Sequence, residues 1–323
     1  MDRALLKKSL LKVKDNRITG MVMPLIWLLL LVVVFGSSTG GRFFDPFNLT
    51  LIINQSLIVA TIATGAVFIY ATGNVNLAMG ATAGLITAIA AEVYIFTESV
   101  ALMFITALVA GVVISVIEVI ISSKFKVKVL FVTVVMMTLL LALQQTVLDN
   151  DTVSIPYEIT CALQDSGFTY IAFALYFVMC FVIFNFTRVG RSVKFIGTNS
   201  DCSTVTGIVN DRYLMIAFII SGIGAALGAL MTITRSGSVN NNTLNTMNMD
   251  VLLAIVLGGM SVFGGSKSYI YSATLGAITV VVLNNGFTLL QVDNIWLQGV
   301  RGLFFLILVI VSQTRTGLLP EKD

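Results

Sequence analysis

The sequence predicts an all-α polytopic membrane protein of about ten transmembrane helices with both termini in the cytoplasm. Three observations predict it. The chain is 57% hydrophobic and only 11% charged, where a soluble domain carries about 25% charged residues. Apolar segments of ~20 residues, long enough to cross ~30 Å of hydrocarbon, recur along its whole length. Lysine and arginine gather on one face when the spans alternate, as the positive-inside rule expects. The apolar runs are too long and too uniform for barrel strands, which alternate. Helices satisfy their backbone groups internally, so they are the element that fits.

Taken in order, spans are expected at 21–38, 49–71, 77–97, 99–122, 128–148, 168–187, 213–234, 250–264, 269–290 and 295–313. Their boundaries carry an error of several residues. They leave a basic arm at 1–20, a transmembrane domain at 21–313 and a short tail at 314–323. With the arm inside, alternation puts Arg3, Lys7, Lys8, Lys12, Lys14 and Arg17 on one face. Lys124, Lys126, Lys128, Arg188, Arg191, Lys194, Arg212, Lys267, Arg315 and Lys322 fall on the same face. The other face receives Arg42, Arg235 and the acidic stretch of Asp149, Asp151, Glu158 and Asp165. Glu118, near the cytoplasmic end of its span, is expected to reach toward Lys124 or water. Arg301 in the last span is expected to reach outward or to pair with Asp293 at the rim.

Composition also excludes chemistry. The net charge is +3 and there is no histidine, which removes histidine triads, histidine metal sites and histidine proton relays. Cys161 is expected outside, Cys180 in a span and Cys202 in the cytoplasm, so no disulfide or zinc site is read. The first apolar segment lacks a small-residue cleavage site and reads as an uncleaved span. "GGSKS" at 264–268 is a near miss for a phosphate-binding loop. That motif needs lysine directly after glycine, and here Ser266 intervenes. No nucleotide site and no nucleic-acid surface is expected in this chain.

The longest polar interruption is "GRSVKFIGTNSDCSTVTGIVNDR" at 190–212, within an expected cytoplasmic loop at 188–212. Gly197 reads as a break after Phe195 and Ile196. Asn199 or Ser200 can cap a short helix by accepting orphan N–H groups. Gly207 can end it in the left-handed conformation. Asp201, Cys202, Ser203, Thr204, Val205 and Thr206 would keep that helix slim enough for a partner's groove. An ordinary solvated loop with a helical turn fits the same residues.

Elsewhere, polar and glycine residues interrupt the apolar pattern. Gly73, Asn74, Asn76 and Gly80 lie between two spans. Irregular backbone at membrane depth needs protein or water to satisfy it and in transporters tends to lie near the substrate path; a short polar turn fits equally. Neutral amides suit a hydroxyl-rich solute, because each offers donors and an acceptor. Gly258, Gly259, Gly264 and Gly265 suit either the path or close helix packing. Asn54, Gln55, Asn284 and Asn285 within spans either face the path or bond between helices.

Gly197-x-Asn199-x-x-Cys202-Ser203-x-x-Thr206-Gly207-Ile208 resembles the G-x-N-x-x-A-A-x-x-S-G-I segment of ABC importer permeases of the ribose/simple-sugar family. "LLAIVLGGMSVFGGSKS" (252–268) resembles that family's L-G-G-x-S-x-x-G-G-x-G-S segment at Gly258, Gly259, Ser261, Gly264, Gly265 and Ser268. "NNGFTLL" (284–290) resembles N-G-L-x-L-L at Asn285, Gly286, Leu289 and Leu290, and "ATGNVNLAMG" (71–80) resembles T-G-G-I-D-L-S-V-G at Thr72, Gly73, Leu77 and Gly80. Together the resemblances run over roughly residues 50 to 313. The departures are Asn74 for glycine, Asn76 for aspartate, Ala78 for serine and Lys267 for glycine, with Tyr269 and Tyr271 where small residues are common. Cys202, Ser203 and Thr206 are small replacements of small residues.

The resemblance implies a transport subunit and no enzyme. The 197–208 segment is then the coupling helix that docks on a separate ATP-hydrolysing subunit, which holds ATP and Mg; this chain itself binds no cofactor. It further implies a second permease subunit (a copy or a relative), an extracytoplasmic substrate-binding protein, and a place in the bacterial cytoplasmic membrane. The cargo it implies is a monosaccharide, with nucleosides, an autoinducer sugar or another polyhydroxylated solute within the family's range. The competing reading is a stand-alone secondary transporter or channel. Such carriers commonly place Asp, Glu or His at the bilayer centre, and here the acids lie mostly at or outside span ends. A membrane enzyme ranks third, since no nucleophile, base or metal cluster converges.

Overall fold

The computed structural model describes residues 17–149, 151–261, 264–266, 268–292, 296, 298–299 and 302–303, with side chains from Pro24 onward. The helices are α1 (Arg17–Ser38), α2 (Pro46–Ala71), α3 (Met79–Thr97), α4 (Val100–Phe125), α5 (Val129–Val147), α6 (Tyr157–Asp165), α7 (Phe168–Phe186), α8 (Arg188–Thr198), α9 (Ser200–Val205), α10 (Asn210–Ser236), α11 (Met247–Leu257) and α12 (Tyr271–Leu289). Two short strands, β1 (Val153–Ser154) and β2 (Ser238–Val239), pair antiparallel.

Among the described residues, seven helices are long and apolar enough to cross a membrane: α2, α3, α4, α5, α7, α10 and α12. The chain is therefore an all-α multi-pass membrane protein. The first expected span is α1, whose apolar part is Pro24–Ser38. The expected span at 250–264 is corrected. It is the 11-residue helix α11, about 16 Å long at 1.5 Å per residue, roughly half of the hydrocarbon core. The last expected span, 295–313, falls almost wholly outside the described residues, as do Asp293 and Arg301.

The bundle is built around α2, α3 and α10, each more than two-thirds buried over its apolar window. Against them α4, α5 and α7 are mostly exposed, as helices facing lipid must be. Glycine sets the central spacing. Gly111 of α4 and Gly222 of α10 each face the other's carbonyl oxygen so closely that a Cβ on either would collide. On the α2 side of α10, Gly224 meets Thr61 and Gly228 meets Ile62. Small residues permit this approach where lipid supplies no hydrophobic drive between helices. Tyr176 of α7 locks the layer by donating to the Ile220 carbonyl at 2.7 Å.

The chain ends its elements with recognisable caps. Asp45 accepts from Phe47 N–H at 2.8 Å with Pro46 in the first helical position of α2, and Ser99 accepts from Leu102 N–H at the start of α4. At one end of the bundle the basic connections meet, with Lys124 and Arg212 lining a common hollow. At the other end, β1 and β2 tie the 153–154 and 238–239 connections together.

Candidate functional site

The polar stretch at 188–212 folds into two helices at the basic end. Thr187 caps α8 by accepting from Val189 N–H at 3.2 Å. One face of α8, namely Gly190, Ser192, Val193 and Ile196, is buried on the bundle. Gly197 does not break the chain, as its sequence context suggested. It lies within the last turn of α8, where a Cβ would meet the Ala71 carbonyl and, at 2.7 Å, the Gly265 nitrogen. The glycine is there for close packing, and its partners are far away in the sequence.

Asn199 caps α9, its Oδ1 accepting from the N–H groups of Asp201 and Cys202, each at 3.0 Å. Asp201 in the first turn faces the positive end of the helix. The far end closes with Gly207 at φ +81°. Its N–H reaches Thr204 O at 3.0 Å and the Ile208 N–H reaches Ser203 O at 3.0 Å, the two bonds of a Schellman motif. Ser203 is fully buried and bonds back to Ser200 O and to Asn210 Oδ1. The face turned away from the bundle carries Asp201, Cys202, Thr204 and Val205. Val205 is 89% exposed and Val209 beside it 61%. Val205 counted in the sequence only as one small residue of the helix and Val209 not at all, because an apolar residue is informative only once its exposure is known.

Replacing Gly207 with leucine is expected to leave the chain folded, because a Cβ there meets nothing within 4 Å. A left-handed non-glycine residue costs roughly 1–2 kcal/mol, enough to unwind the end of a six-residue helix. Uptake should fall while ATP hydrolysis by a bound partner persists, measured side by side in membrane vesicles. Normal uptake would remove 197–208 from the coupling role.

Behind α9 three chain segments meet backbone to backbone. Gly265 N–H donates to Ala71 O at 3.1 Å and Ser266 N–H to Thr198 Oγ1 at 3.1 Å. Gly264 at φ +69° abuts the Tyr70 carbonyl and Gly73 N. A shallow cavity of about 490 Å³ opens beside this junction, lined among others by Gly73, Asn74, Asn199, Ser200 and Asp211. Gly73 is exposed there at φ +79°, and Asn74 donates to Thr72 Oγ1 at 2.9 Å. Gly259, at φ +86°, closes α11 with a second Schellman pair, Gly259 N–H to Val256 O and Met260 N–H to Ile255 O. Gly258 lies hard against Ser272 O of α12.

The remaining sequence-predicted polar residues lie apart from that junction. Asn76 is buried and donates to Glu118 Oε2 at 3.0 Å. Glu118 therefore does not reach toward Lys124 or water: it is 1% exposed and also accepts from Thr82 Oγ1 at 3.3 Å. Gly80 packs against Asn248, whose Oδ1 accepts from Gly80 N–H at 2.7 Å and Ala81 N–H at 3.1 Å. Asn54 accepts from Tyr170 OH at 2.9 Å, while Gln55 is half-buried beside it on α2. Asn284 donates to Asp250 Oδ1 at 3.2 Å. Asn285 and Asn48 exchange amide hydrogen bonds at 2.7 and 3.1 Å. The structure thus gathers Gly73, Asn74, Gly197, Asn199, Gly264 and Gly265 at one end and distributes the other candidates along the helix interfaces.

The chain is 28% identical over 304 residues to the fructose import permease protein FrcC of Rhizobium meliloti, covering 90% of this chain and 84% of that one. It is 26% identical over 302 residues to the ribose import permease protein RbsC of Bacillus subtilis, covering 91% and 93%. It is 25% identical over 293 residues to the RbsC protein of Haemophilus influenzae, covering 88% and 90%. No solved structure matches significantly. The family model described as branched-chain amino acid transport system / permease component matches residues 48–311. The chain therefore belongs to that permease family, and its multi-pass helical bundle is a member's membrane domain.

Proposed function

We propose that this chain is the transmembrane permease subunit of an ATP-driven ABC importer that carries a monosaccharide or similar polyhydroxylated solute across a bacterial cytoplasmic membrane. Relatives named for fructose and ribose import support the cargo class. The observation that carries the mechanism is α9, a short helix capped at both ends, anchored through Ser203 and presenting Cys202, Val205 and their neighbours outward. A helix so placed offers a rigid knob to a cytoplasmic ATPase, which holds ATP and Mg and closes on binding them. The basic end of the bundle is then cytoplasmic. The junction of 70–73, 197–198 and 264–266 joins α8, which leads into the knob, to the non-helical backbone at 72–78. Movement of α9 would reach that backbone through α8, by the contact of Gly197 with the Ala71 carbonyl and the bond of Ser266 N–H to the Thr198 hydroxyl. A second permease subunit and an extracytoplasmic binding protein complete the importer.

The test is a mild-detergent purification of the tagged chain from its own membranes, with mass spectrometry of what accompanies it. An ATP-binding cassette subunit is expected, together with a binding protein that can be screened against sugars. Recovery of the chain alone, under conditions that hold known complexes together, would favour a self-contained carrier.

A further inference from the structure

Glu118 lies about two turns from the basic end of α4 and is buried. Its two oxygens accept from Asn76 Nδ2 and Thr82 Oγ1. The Asn76 amide has no freedom to turn: its Oδ1 accepts from Ala78 N–H at 2.7 Å, so the NH2 group must face the carboxylate. The same short segment is held from other helices as well. Tyr70 OH of α2 donates to Asn76 O at 3.2 Å, and Leu77 N–H donates to Thr133 Oγ1 of α5 at 3.3 Å. The carboxylate also stands beside the first turn of α3, where the helix dipole favours negative charge. An ionisable group at membrane depth is costly and rarely idle.

In the T-G-G-I-D-L-S-V-G pattern that 72–80 resembles, an aspartate occupies the position of Asn76. We propose that in this chain the acid has moved to the neighbouring helix: Glu118 is the positioning residue that fixes the 72–78 segment through Asn76, with amide and carboxylate exchanged between α3's approach and α4. The pair holds one carboxyl group and one amide, whichever member carries each. The uptake consequence rests on the permease reading; the pairing does not.

The experiment compares Asn76→Asp, Glu118→Gln and the double variant in the full chain. Purified protein gives the melting temperature in detergent. Cells holding the whole transport system give uptake of labelled ribose, fructose and galactose per folded chain. Glu118→Gln keeps an oxygen for the Asn76 amide but turns its own amide nitrogen to the Thr82 hydroxyl, which must then accept, and a carboxylate bond becomes a neutral one. It should melt close to the parent yet lose about tenfold in uptake. Asn76→Asp sets two carboxylates face to face in a buried site and should melt lower and transport less. The double variant restores one acid and one amide and should recover melting, and uptake to within about threefold of the parent. Full uptake by Glu118→Gln, or a double variant no better than the worse single one, would overturn the proposal. Should the parent take up none of the three sugars, the cargo reading fails. The melting temperatures still decide the pair: restoration supports it and additive losses overturn it.

Discussion

Alanine at position 197 is expected to silence uptake and to lower the amount of folded chain in the membrane. The added methyl would press on the Ala71 carbonyl and the Gly265 nitrogen. Both are backbone atoms, so no rotamer change can relieve the contact. Relief requires α8 to part from the end of α2 and from 264–266. That movement stretches the Gly265–Ala71 and Ser266–Thr198 hydrogen bonds, each 3.1 Å long. Overpacking costs about 1–3 kcal/mol and each lost hydrogen bond about 1 kcal/mol, so a total near 3 kcal/mol is expected. Thermal unfolding in detergent, read beside uptake, checks it. Unfolding and uptake at parental levels would show that the junction is looser than its geometry implies.

Aspartate at position 205 is expected to do the opposite: to leave the fold intact and abolish partner binding. Val205 is 89% exposed, so the substitution disturbs little within this chain. On a docking surface the same change would bury a carboxylate without a partner. A central contact of this kind is worth 2 kcal/mol or more, about a thirtyfold weakening. Co-purification of the ATPase subunit with the variant, normalised to folded permease, measures it. Undiminished co-purification would move the docking face away from α9.

Seven of the ten expected spans coincide with helices long and apolar enough to cross a membrane, because hydropathy over a window of ~20 residues is a strong signal. The ends of α9 were legible too, since Asn199 and Gly207 act on their own neighbours in sequence. What failed depended on distant partners. Gly197 read as a breaker because nothing local reveals the Ala71 carbonyl against it. Glu118 read as reaching for Lys124 or water because Asn76 and Thr82 belong to another part of the chain. The 250–264 stretch read as a span because apolar composition does not distinguish a full crossing from a half crossing. The Schellman turn at Gly259 ends that helix early, and a glycine pair in an apolar run signals packing as readily as a stop.

The shortness of α11 bears on how the protein is made. A segment of 11 helical residues is too short to cross the hydrocarbon by itself, and beyond it the amides of Gly265 and Ser266 take partners from other segments. The partners those amides need, Ala71 O and the Thr198 hydroxyl, are synthesised earlier. The 264–266 backbone can reach those partners only once the helices before it have assembled. Assembly is therefore expected in two stages, the helices up to α10 first and the α11 segment against them second. A sequence change that slows the first stage leaves the second exposed to quality-control proteases.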